Sequence, residues 1–216
     1  MPEVKTLIIG DIHGCLDMLK RLMSKLEWNP SADRLIFIGD YIDRGHDAKG
    51  VIDYILRLKR DCHNVECLIG NHERMFLDYL SGVDVKSFIL NGGLSTLRSY
   101  KENRRRLENP LVPPSHLDFL SSLSLMVELD DYYVVHAGFR PKVRIEQQDP
   151  FDMVWIREEF IYSDYDFGKP VIFGHTPFYT PLVLDNKVGI DTGAVYGNRL
   201  TCLELPEKRF HSVGPR

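Results

Sequence analysis

Five short polar motifs, each containing a glycine, hold most of the side chains in this 216-residue sequence that could bind metal or phosphate. In chain order they are GDIHG (residues 10–14), GDYIDRG (39–45), GNHE (70–73), HAG (136–138) and GH (174–175). Four of the eight histidines fall within them. Their glycines allow the chain to turn sharply and to approach a metal or a substrate without a Cβ in the way.

The carboxylates, amide and imidazoles of these motifs could together bind two metal ions. Asp11 and His13 are two residues apart, so in extended backbone they point to one side and could bind one ion. Asp40 could bridge two ions with its two oxygens. The remaining ligands of the second ion would be Asn71, His136 and His175. This donor set suits Mn, Fe, Zn or Ni, and two such ions can clamp a phosphoryl group and activate a water for attack on it.

Other side chains of the same motifs could complete such a site. His72 is a candidate general acid, and Asp43 could hold its imidazolium in orientation. Arg44 offers a planar fork of donors for phosphate oxygens. Arg157, in the segment Trp-Ile-Arg, could supply a second clamp on the phosphate, and Asn71 could contact the phosphate as well as a metal.

Taken one at a time, these residues also have ordinary structural explanations. Asp11 could cap a helix, His136 could be a hydrogen-bonded core histidine, and Arg157 could lie on a helix face. Five motifs of this kind in one chain make coincidence improbable, so we favour the metal site. Glu73 and Tyr41 are assigned to capping and packing.

Apolar runs in the first third of the chain predict the elements that would position these motifs. Three runs rich in β-branched residues predict buried strands ending at the glycines of the first three motifs. They are Val4–Ile9, Arg34–Ile38 and Val65–Ile69. A helical spacing of apolar residues follows each run, in Asp17–Leu26, around Val51–Leu58 and in Arg74–Leu80. The alternation predicts βαβ units and a largely parallel sheet, at whose carboxyl edge the motifs would meet.

The rest of the chain predicts a different organisation. Residues 84–123 are expected to form a helical excursion that includes the charged stretch Lys101–Glu108. Leu125–Leu129 and Tyr132–Val135 predict a hairpin. Further short strands are expected at Pro170–Phe173, Pro181–Leu184, Lys187–Ile190 and Leu200–Leu205. We therefore expect a single α/β domain over residues 1–216 with mixed sheets.

Composition restricts the class of protein. The hydrophobic share of 44% and the charged share of 27% are ordinary for a globular protein. A net charge of −4 creates no basic field for nucleic acid or anionic membrane, and no apolar stretch is long enough to span a bilayer. The four cysteines form no CxxC pair, which indicates free thiols in a reducing cytoplasm. Oligomeric state is not predicted.

The order GDIHG, GDYIDRG, GNHE, HAG, GH resembles the signature of the phosphoprotein phosphatase family of calcineurin-like metallophosphoesterases. The resemblance implies a central β-sandwich of mixed sheets flanked by helices, and two divalent ions, usually Mn in bacterial members. It implies one ion on Asp11, His13 and Asp40, and another on Asp40, Asn71, His136 and His175. It also implies His72 as proton donor with Asp43 behind it, and Arg44 and Arg157 on the phosphate.

The resemblance leaves the substrate open. Small bacterial and phage members dephosphorylate phosphoserine, phosphothreonine and sometimes phosphotyrosine, which predicts a phosphorylated protein or small phosphoester as substrate. Symmetrical dinucleoside tetraphosphatases share the scaffold and resemble this chain at Asp191-Thr192-Gly193. They usually carry GNHD and often lack the aspartate before the motif arginine, so Glu73 and Asp43 favour the phosphoprotein class. A non-catalytic binding scaffold is a third alternative, but such a protein would be expected to lose ligands, and all six are present.

Overall fold

The computed structural model describes residues 4–102 and 111–215. Most of the charged stretch Lys101–Glu108 lies outside the described residues. The predicted helical excursion over residues 84–123 can therefore be followed only as far as residue 102 and again from residue 111.

Ten strands lie in the described ranges, and they form two five-stranded sheets. In chain order they are β1 (Thr6–Ile9), β2 (Arg34–Phe37), β3 (Val65–Cys67), β4 (Met126–Glu128), β5 (Tyr133–Val135), β6 (Val171–Phe173), β7 (Leu182–Leu184), β8 (Lys187–Gly189), β9 (Leu200–Leu205) and β10 (Arg209–Val213). The sheet orders are β10-β9-β1-β2-β3 and β4-β5-β6-β8-β7.

Both sheets are mixed, as expected for the whole chain. The parallel order predicted from the first third holds for β1, β2 and β3, whereas β9 pairs antiparallel with both β1 and β10. In the second sheet β5, β6 and β8 are parallel, and the predicted hairpin is the antiparallel pair β4–β5. A sheet that was expected to be largely parallel is therefore parallel only in its β1–β3 part.

The two sheets pack face to face, because their strands alternate apolar side chains between two buried faces. In β1, Ile8 points into the layer between the sheets, and Leu7 and Ile9 point to the helices on the other face. Val134 and Ile172 of the second sheet enter the same layer. Burying each such side chain contributes about 1.5–3 kcal/mol. The central β-sandwich implied by the family resemblance is thus confirmed.

Helices cover the outer faces of both sheets. They are α1 (Leu16–Lys25), α2 (Ala48–Asp61), α3 (Asn71–Leu80), α4 (Val85–Phe88), α5 (Leu94–Glu102), α6 (Pro114–Ser121), α7 (Pro150–Trp155) and α8 (Glu158–Ile161). The spacing of Leu19, Leu22 and Met23 puts one face of α1 into the core, as its sequence predicts. Within the described residues, no helix is long and apolar enough to cross a membrane.

Two parts of this architecture differ from the sequence expectation. Helix α3 begins at Asn71 rather than Arg74, so the GNHE motif forms its first turn instead of a preceding loop. Strand β10 and helices α7 and α8 were not predicted. Strand β10 is short and half exposed, and only its antiparallel pairing with β9 makes it a strand.

Candidate active site

The carboxyl ends of parallel strands bring the five motifs into one cleft. Asp11 follows β1, Asp40 follows β2 and Asn71 follows β3 in the first sheet. His136 follows β5 and His175 follows β6 in the second sheet. All of these side chains are at least 95% buried, as is His13. Residues more than 160 positions apart therefore meet, since both sheets present their carboxyl edges to the same side.

Asp40 lies at the centre of the cleft. Its Oδ2 is 3.3 Å from His13 Nε2 and 4.0 Å from His72 Nε2. Its Oδ1 is 3.4 Å from His136 Nε2. Potential ligand atoms of His13, Asp40 and His72 lie within 4.8 Å of one another, and the same holds for Asp40, His136 and His175. Asp40 is common to both sets, so its two oxygens face two different clusters.

The side chains of the second cluster fit a cation, because acceptor atoms converge there. His136 Nδ1 donates its proton to the Ile38 carbonyl at 2.9 Å, which leaves a lone pair on Nε2 in the neutral ring. That lone pair faces Asn71 Oδ1 at 3.2 Å and Asp40 Oδ1. Among the described residues, the buried atoms Asp11 Oδ1 and His175 Nε2 have no hydrogen-bond partner. Buried acceptors without donors are costly unless a cation satisfies them.

Burial and charge adjust Asp40 and two histidines of the cleft towards metal binding. Burial opposes ionisation of Asp40, but the attraction of His136, His72 and His13 outweighs it and holds the pKa of Asp40 well below its usual range. Burial lowers the pKa of His136, and that of His175 more strongly, which favours the neutral form of both rings. Neutral imidazole is the form that binds a metal.

Asp11 belongs to neither of the two tight sets, although it lies in the same cleft. Its Oδ2 accepts the backbone N–H of His175 at 3.0 Å. Burial, followed by the charges of Asp191 and Asp40, raises the pKa of Asp11 well above its usual value. The structure thus brings Asp11 to the histidine of the second set, whereas the sequence grouped it with His13.

His72 and Asp43 form a fully buried pair on the other side of Asp40. His72 Nδ1 lies 2.6 Å from Asp43 Oδ2, so an ionised Asp43 requires the proton on Nδ1. Nε2 then points towards Asp40 and has no hydrogen-bond partner among the residues that the structure covers. This is the arrangement of an oriented acid–base histidine.

The two arginines lie at different depths. Arg44 Nη1 donates to the Nε2 lone pair of His13 at 2.6 Å, and its guanidinium is 5.6 Å from the ring centre of Tyr196. A metal would need the same lone pair of His13, so the two uses exclude each other. Arg157 is exposed at the rim, where Nη1 donates to the His175 carbonyl at 3.1 Å and to Thr176 Oγ1 at 3.2 Å.

Glu73 does more than the capping expected of it. Its carboxylate accepts the N–H of Gly70 at 3.0 Å, which is the capping contact, and also those of Asp40 and Tyr41, both at 2.8 Å. Burial and then the charge of Asp40 raise the pKa of Glu73 to about 8. Gly70 permits this contact, because a Cβ there would lie 2.2 Å from Asp40 Oδ1. The first turn of α3 therefore anchors the loop that carries Asp40.

Asp191 was not expected to be a site residue. It is buried, lies two residues after the end of β8, and its charge acts on Asp11. The signal was available in the sequence, since Lys187–Ile190 was predicted as a strand and Asp-Thr-Gly follows it, as in the five motifs.

Backbone strain is concentrated in this cleft. Seven non-glycine residues in the described chain have a positive φ, and five of them are His13, Asp40, Asp43, Arg44 and His175. Such conformations are unfavourable for residues with a Cβ and persist where the surrounding structure enforces them, often at functional sites.

Comparison with known proteins agrees with the fold. A family model described as calcineurin-like phosphoesterase matches residues 4–206. The chain is 29% identical to bis(5'-nucleosyl)-tetraphosphatase PrpE [asymmetrical] of Oceanobacillus iheyensis, over 97% of this chain and 92% of that protein. It is 31% identical to serine/threonine-protein phosphatase 1 of Salmonella typhimurium, over 92% of this chain and 90% of that protein. A solved structure described as a candidate diadenosine tetraphosphatase shares the fold, with a TM-score of 0.78 and 22% identity over 99% of this chain and 94% of its own.

These relatives correct one sequence expectation. The alternative substrate class was taken to be that of the symmetrical dinucleoside tetraphosphatases. The PrpE relative is named as asymmetrical, so the relatives found here point to a different nucleotide hydrolase from the symmetrical one expected.

Proposed function

Since the chain belongs to the calcineurin-like phosphoesterase family, whose relatives are hydrolases acting on phosphate esters, we propose that it is a metal-dependent phosphoprotein phosphatase. Its substrates would be phosphoserine and phosphothreonine, with phosphotyrosine as a further monoester to test. The observation that carries this proposal is the buried His72–Asp43 pair at 2.6 Å. A serine alkoxide is a poor leaving group and needs a proton in the transition state, which an oriented histidine can supply.

Two divalent ions would be held by the residues that converge on Asp40. We propose Asp11, His13 and Asp40 for one ion, although Asp11 lies next to His175 in this structure. For the other ion we propose Asp40, Asn71, His136 and His175. The donors are carboxylate, amide and imidazole without thiolate, which is consistent with Mn²⁺. When bound, such ions supply Lewis-acid stabilisation of the phosphoryl group and activate water.

The chain's own residues would then perform three tasks. Arg44 would bind and orient phosphate oxygens through its guanidinium, and Arg157 at the rim would be a second contact to the same group. His72 transfers the proton on Nε2 to the leaving oxygen. Asp43 accepts the Nδ1 proton in a hydrogen bond and stabilises the imidazolium before the transfer. The burial of both residues keeps their geometry independent of bulk water.

Hydrolysis of dinucleoside tetraphosphates with asymmetrical cleavage is a second candidate. Two observations favour it: the similarity to PrpE, and the position of Tyr196. The Tyr196 ring is 62% exposed and lies beside Arg44, where it could stack on a nucleobase while the arginine binds phosphate.

A comparison of rates in Mn²⁺ buffer distinguishes the two candidates. The substrates are a phosphoserine peptide, a phosphotyrosine peptide and diadenosine tetraphosphate, and Asp40→Asn is the inactive control. Fast release of phosphate from a peptide, lost in the control, supports the protein phosphatase. Fast conversion of the tetraphosphate to ATP and AMP, together with slow dephosphorylation of both peptides, would make the tetraphosphatase the favoured proposal. Two molecules of ADP would instead indicate symmetrical cleavage and contradict the assignment taken from PrpE.

We further propose that the protein works in a reducing compartment, namely the cytoplasm. All four cysteines lie within the described residues and are free thiols. Burial raises the pKa of Cys67 to about 12 and that of Cys15 to about 11, so neither forms the reactive thiolate readily. Cell fractionation followed by immunoblotting tests this location.

A further inference from the structure

The carboxylate of Asp43 is held from two sides. One oxygen, Oδ2, accepts the proton of His72 Nδ1 at 2.6 Å. The other, Oδ1, accepts the hydroxyl proton of Thr96 at 2.6 Å, and the same hydroxyl oxygen accepts the backbone N–H of Asp43 at 2.8 Å. Asp43, His72 and Thr96 are all fully buried. Thr96 therefore closes a ring of hydrogen bonds that opposes rotation of the Asp43 carboxylate.

The same segment of chain also contacts the neighbouring arginine. Gly92, just before α5, accepts the backbone N–H of Arg44 at 3.3 Å. Its φ of +99° favours glycine, and a Cβ there would lie 3.0 Å from Arg44 Cγ. Asp43 and Arg44 are in the left-handed region with φ of 67° and 65°, a conformation that needs support from outside the loop. Residues 92–96 provide that support.

We propose that Thr96 is a positioning residue for proton donation, acting on His72 through Asp43. This inference rests on the proposed function, because it assumes that His72 protonates a leaving group. With its Oδ1 tied to Thr96, Asp43 keeps Oδ2 on His72 Nδ1, and Nε2 stays aimed into the cleft. Thr96 is 53 residues from Asp43 in the sequence. The helical excursion that contains α5 thereby contributes to the active site.

Paired substitutions at Thr96 test this role by kinetics. Thr96→Val has nearly the same shape but lacks the hydroxyl, whereas Thr96→Ser keeps it. We expect Thr96→Val to lower kcat on an alkyl phosphate about tenfold and kcat on p-nitrophenyl phosphate much less, with KM little changed on both. The nitrophenolate is a good leaving group and needs little protonation. Thr96→Ser should restore most of the alkyl phosphate rate.

Two controls separate this effect from a general loss of structure. Thr201→Val removes another buried threonine hydroxyl, which bonds Thr192 at 2.6 Å, and should leave the ratio of alkyl to aryl rates as in the wild type. In an Asp43→Asn background, Thr96→Val should lower kcat on the alkyl phosphate little further, because the hydrogen bonds through which Thr96 acts on His72 are already altered. Equal losses of kcat on alkyl and aryl phosphates in Thr96→Val would overturn the proposal. So would a kcat of Thr96→Ser on the alkyl phosphate no higher than that of Thr96→Val.

A spectroscopic measurement decides the question independently of activity. In the metal-free protein, the proton shared by His72 Nδ1 and Asp43 should give a downfield NMR resonance that Thr96→Val shifts or broadens and Thr96→Ser preserves. An unchanged resonance in Thr96→Val contradicts the positioning role. If the wild type hydrolysed no phosphate ester, the proposed function would fail, and this resonance would still show whether Thr96 orients the pair.

Discussion

At the scale of single residues, the different roles proposed for Asp40 and His72 follow from the atoms that face the Asp40 oxygens and the His72 nitrogens. The oxygens of Asp40 face His13 and His136, and its pKa is held low, so it remains an anion between two clusters of acceptors. His72 Nδ1 is committed to Asp43, so only Nε2 can exchange a proton with a substrate. A residue proposed to hold metal ions and a residue proposed to move a proton should respond differently to substitution.

We predict that the effect of His72→Asn depends on the leaving group. Loss of a general acid should lower kcat on an alkyl phosphate by about 10²–10⁴ and on p-nitrophenyl phosphate by clearly less. Steady-state rates on the two substrates at saturating Mn²⁺ measure this difference. Asp40→Asn serves as the comparison, because it should impair both substrates alike. Equal losses in His72→Asn would exclude His72 as the acid.

At the scale of secondary-structure elements, helix α5 connects the active-site loop to the helical layer. Thr96 bonds Asp43, and Tyr100, one turn further on, bonds His116 Nδ1 of α6 at 2.8 Å. His116 Nε2 in turn lies 3.0 Å from Asp53 of α2. The sequence analysis gave His116 no role, and the structure shows it linking three helices.

The pH dependence of the free energy of unfolding should reveal the contact between Asp53 of α2 and His116 of α6. Burial opposes ionisation of Asp53, but hydrogen bonds from His116 and Lys49 lower its pKa from 3.8 to about 2. A carboxyl whose pKa is depressed by folding stabilises the protein above its unfolded pKa and loses that contribution as the pH falls towards 2.

We therefore predict that Asp53→Asn lowers the free energy of unfolding at pH 7 by about 1 kcal/mol, a value reduced because the side chain is half exposed. The difference from the wild type should shrink between pH 4 and pH 2. Urea unfolding at several pH values measures it, and Asp130→Asn, in an exposed turn, is the matched control. A difference that stays constant with pH would show that the ion pair contributes nothing.

At the scale of the whole molecule, the cleft gathers several buried acidic side chains, although the net charge of the chain is only −4. Asp11, Asp40, Glu73 and Asp191 are all buried near one another. Carboxylates ionised by metal binding would repel an anionic phosphate by themselves, and bound divalent ions would reverse the sign of the local field. Metal binding should therefore control both substrate binding and stability.

Removal of metal is predicted to destabilise the folded protein. With Mn²⁺ about 100-fold above Kd, binding should add about 3 kcal/mol to the free energy of unfolding, or roughly 5–10 °C in Tm. Calorimetry with Mn²⁺ and with EDTA measures the shift. Asp40→Asn, which removes the shared ligand, should show little of it. An identical Tm in both buffers would argue against the proposed centre.

The single domain expected over residues 1–216 also remains a proposal with a direct test. The layer between the sheets contains side chains from β1 to β9, so separation of the two halves of the chain would expose it. We predict one cooperative thermal transition that is identical by far-ultraviolet circular dichroism and by the fluorescence of Trp28 and Trp155. Two separate transitions would indicate two units.

The sequence by itself determined the chemistry-bearing motifs and the strands before them. Apolar runs such as Arg34–Phe37, and glycines followed by Asp40 or His175, are local features. They depend only on neighbouring residues. The rule that the carboxyl ends of parallel strands converge then predicted that the motifs meet at one edge of the sheet. The gathering of the predicted ligands followed from these features, whereas the β-sandwich was implied by the family resemblance.

Only the tertiary structure decided which distant side chains support the site. Thr96 reaches Asp43 across 53 residues, Glu73 reaches Asp40 across 33, and β10 exists through its pairing with β9. None of these contacts leaves a period or a motif in the sequence, because each depends on how separate elements pack. A buried hydroxyl or carboxylate acquires its role from whichever donor and acceptor packing places beside it.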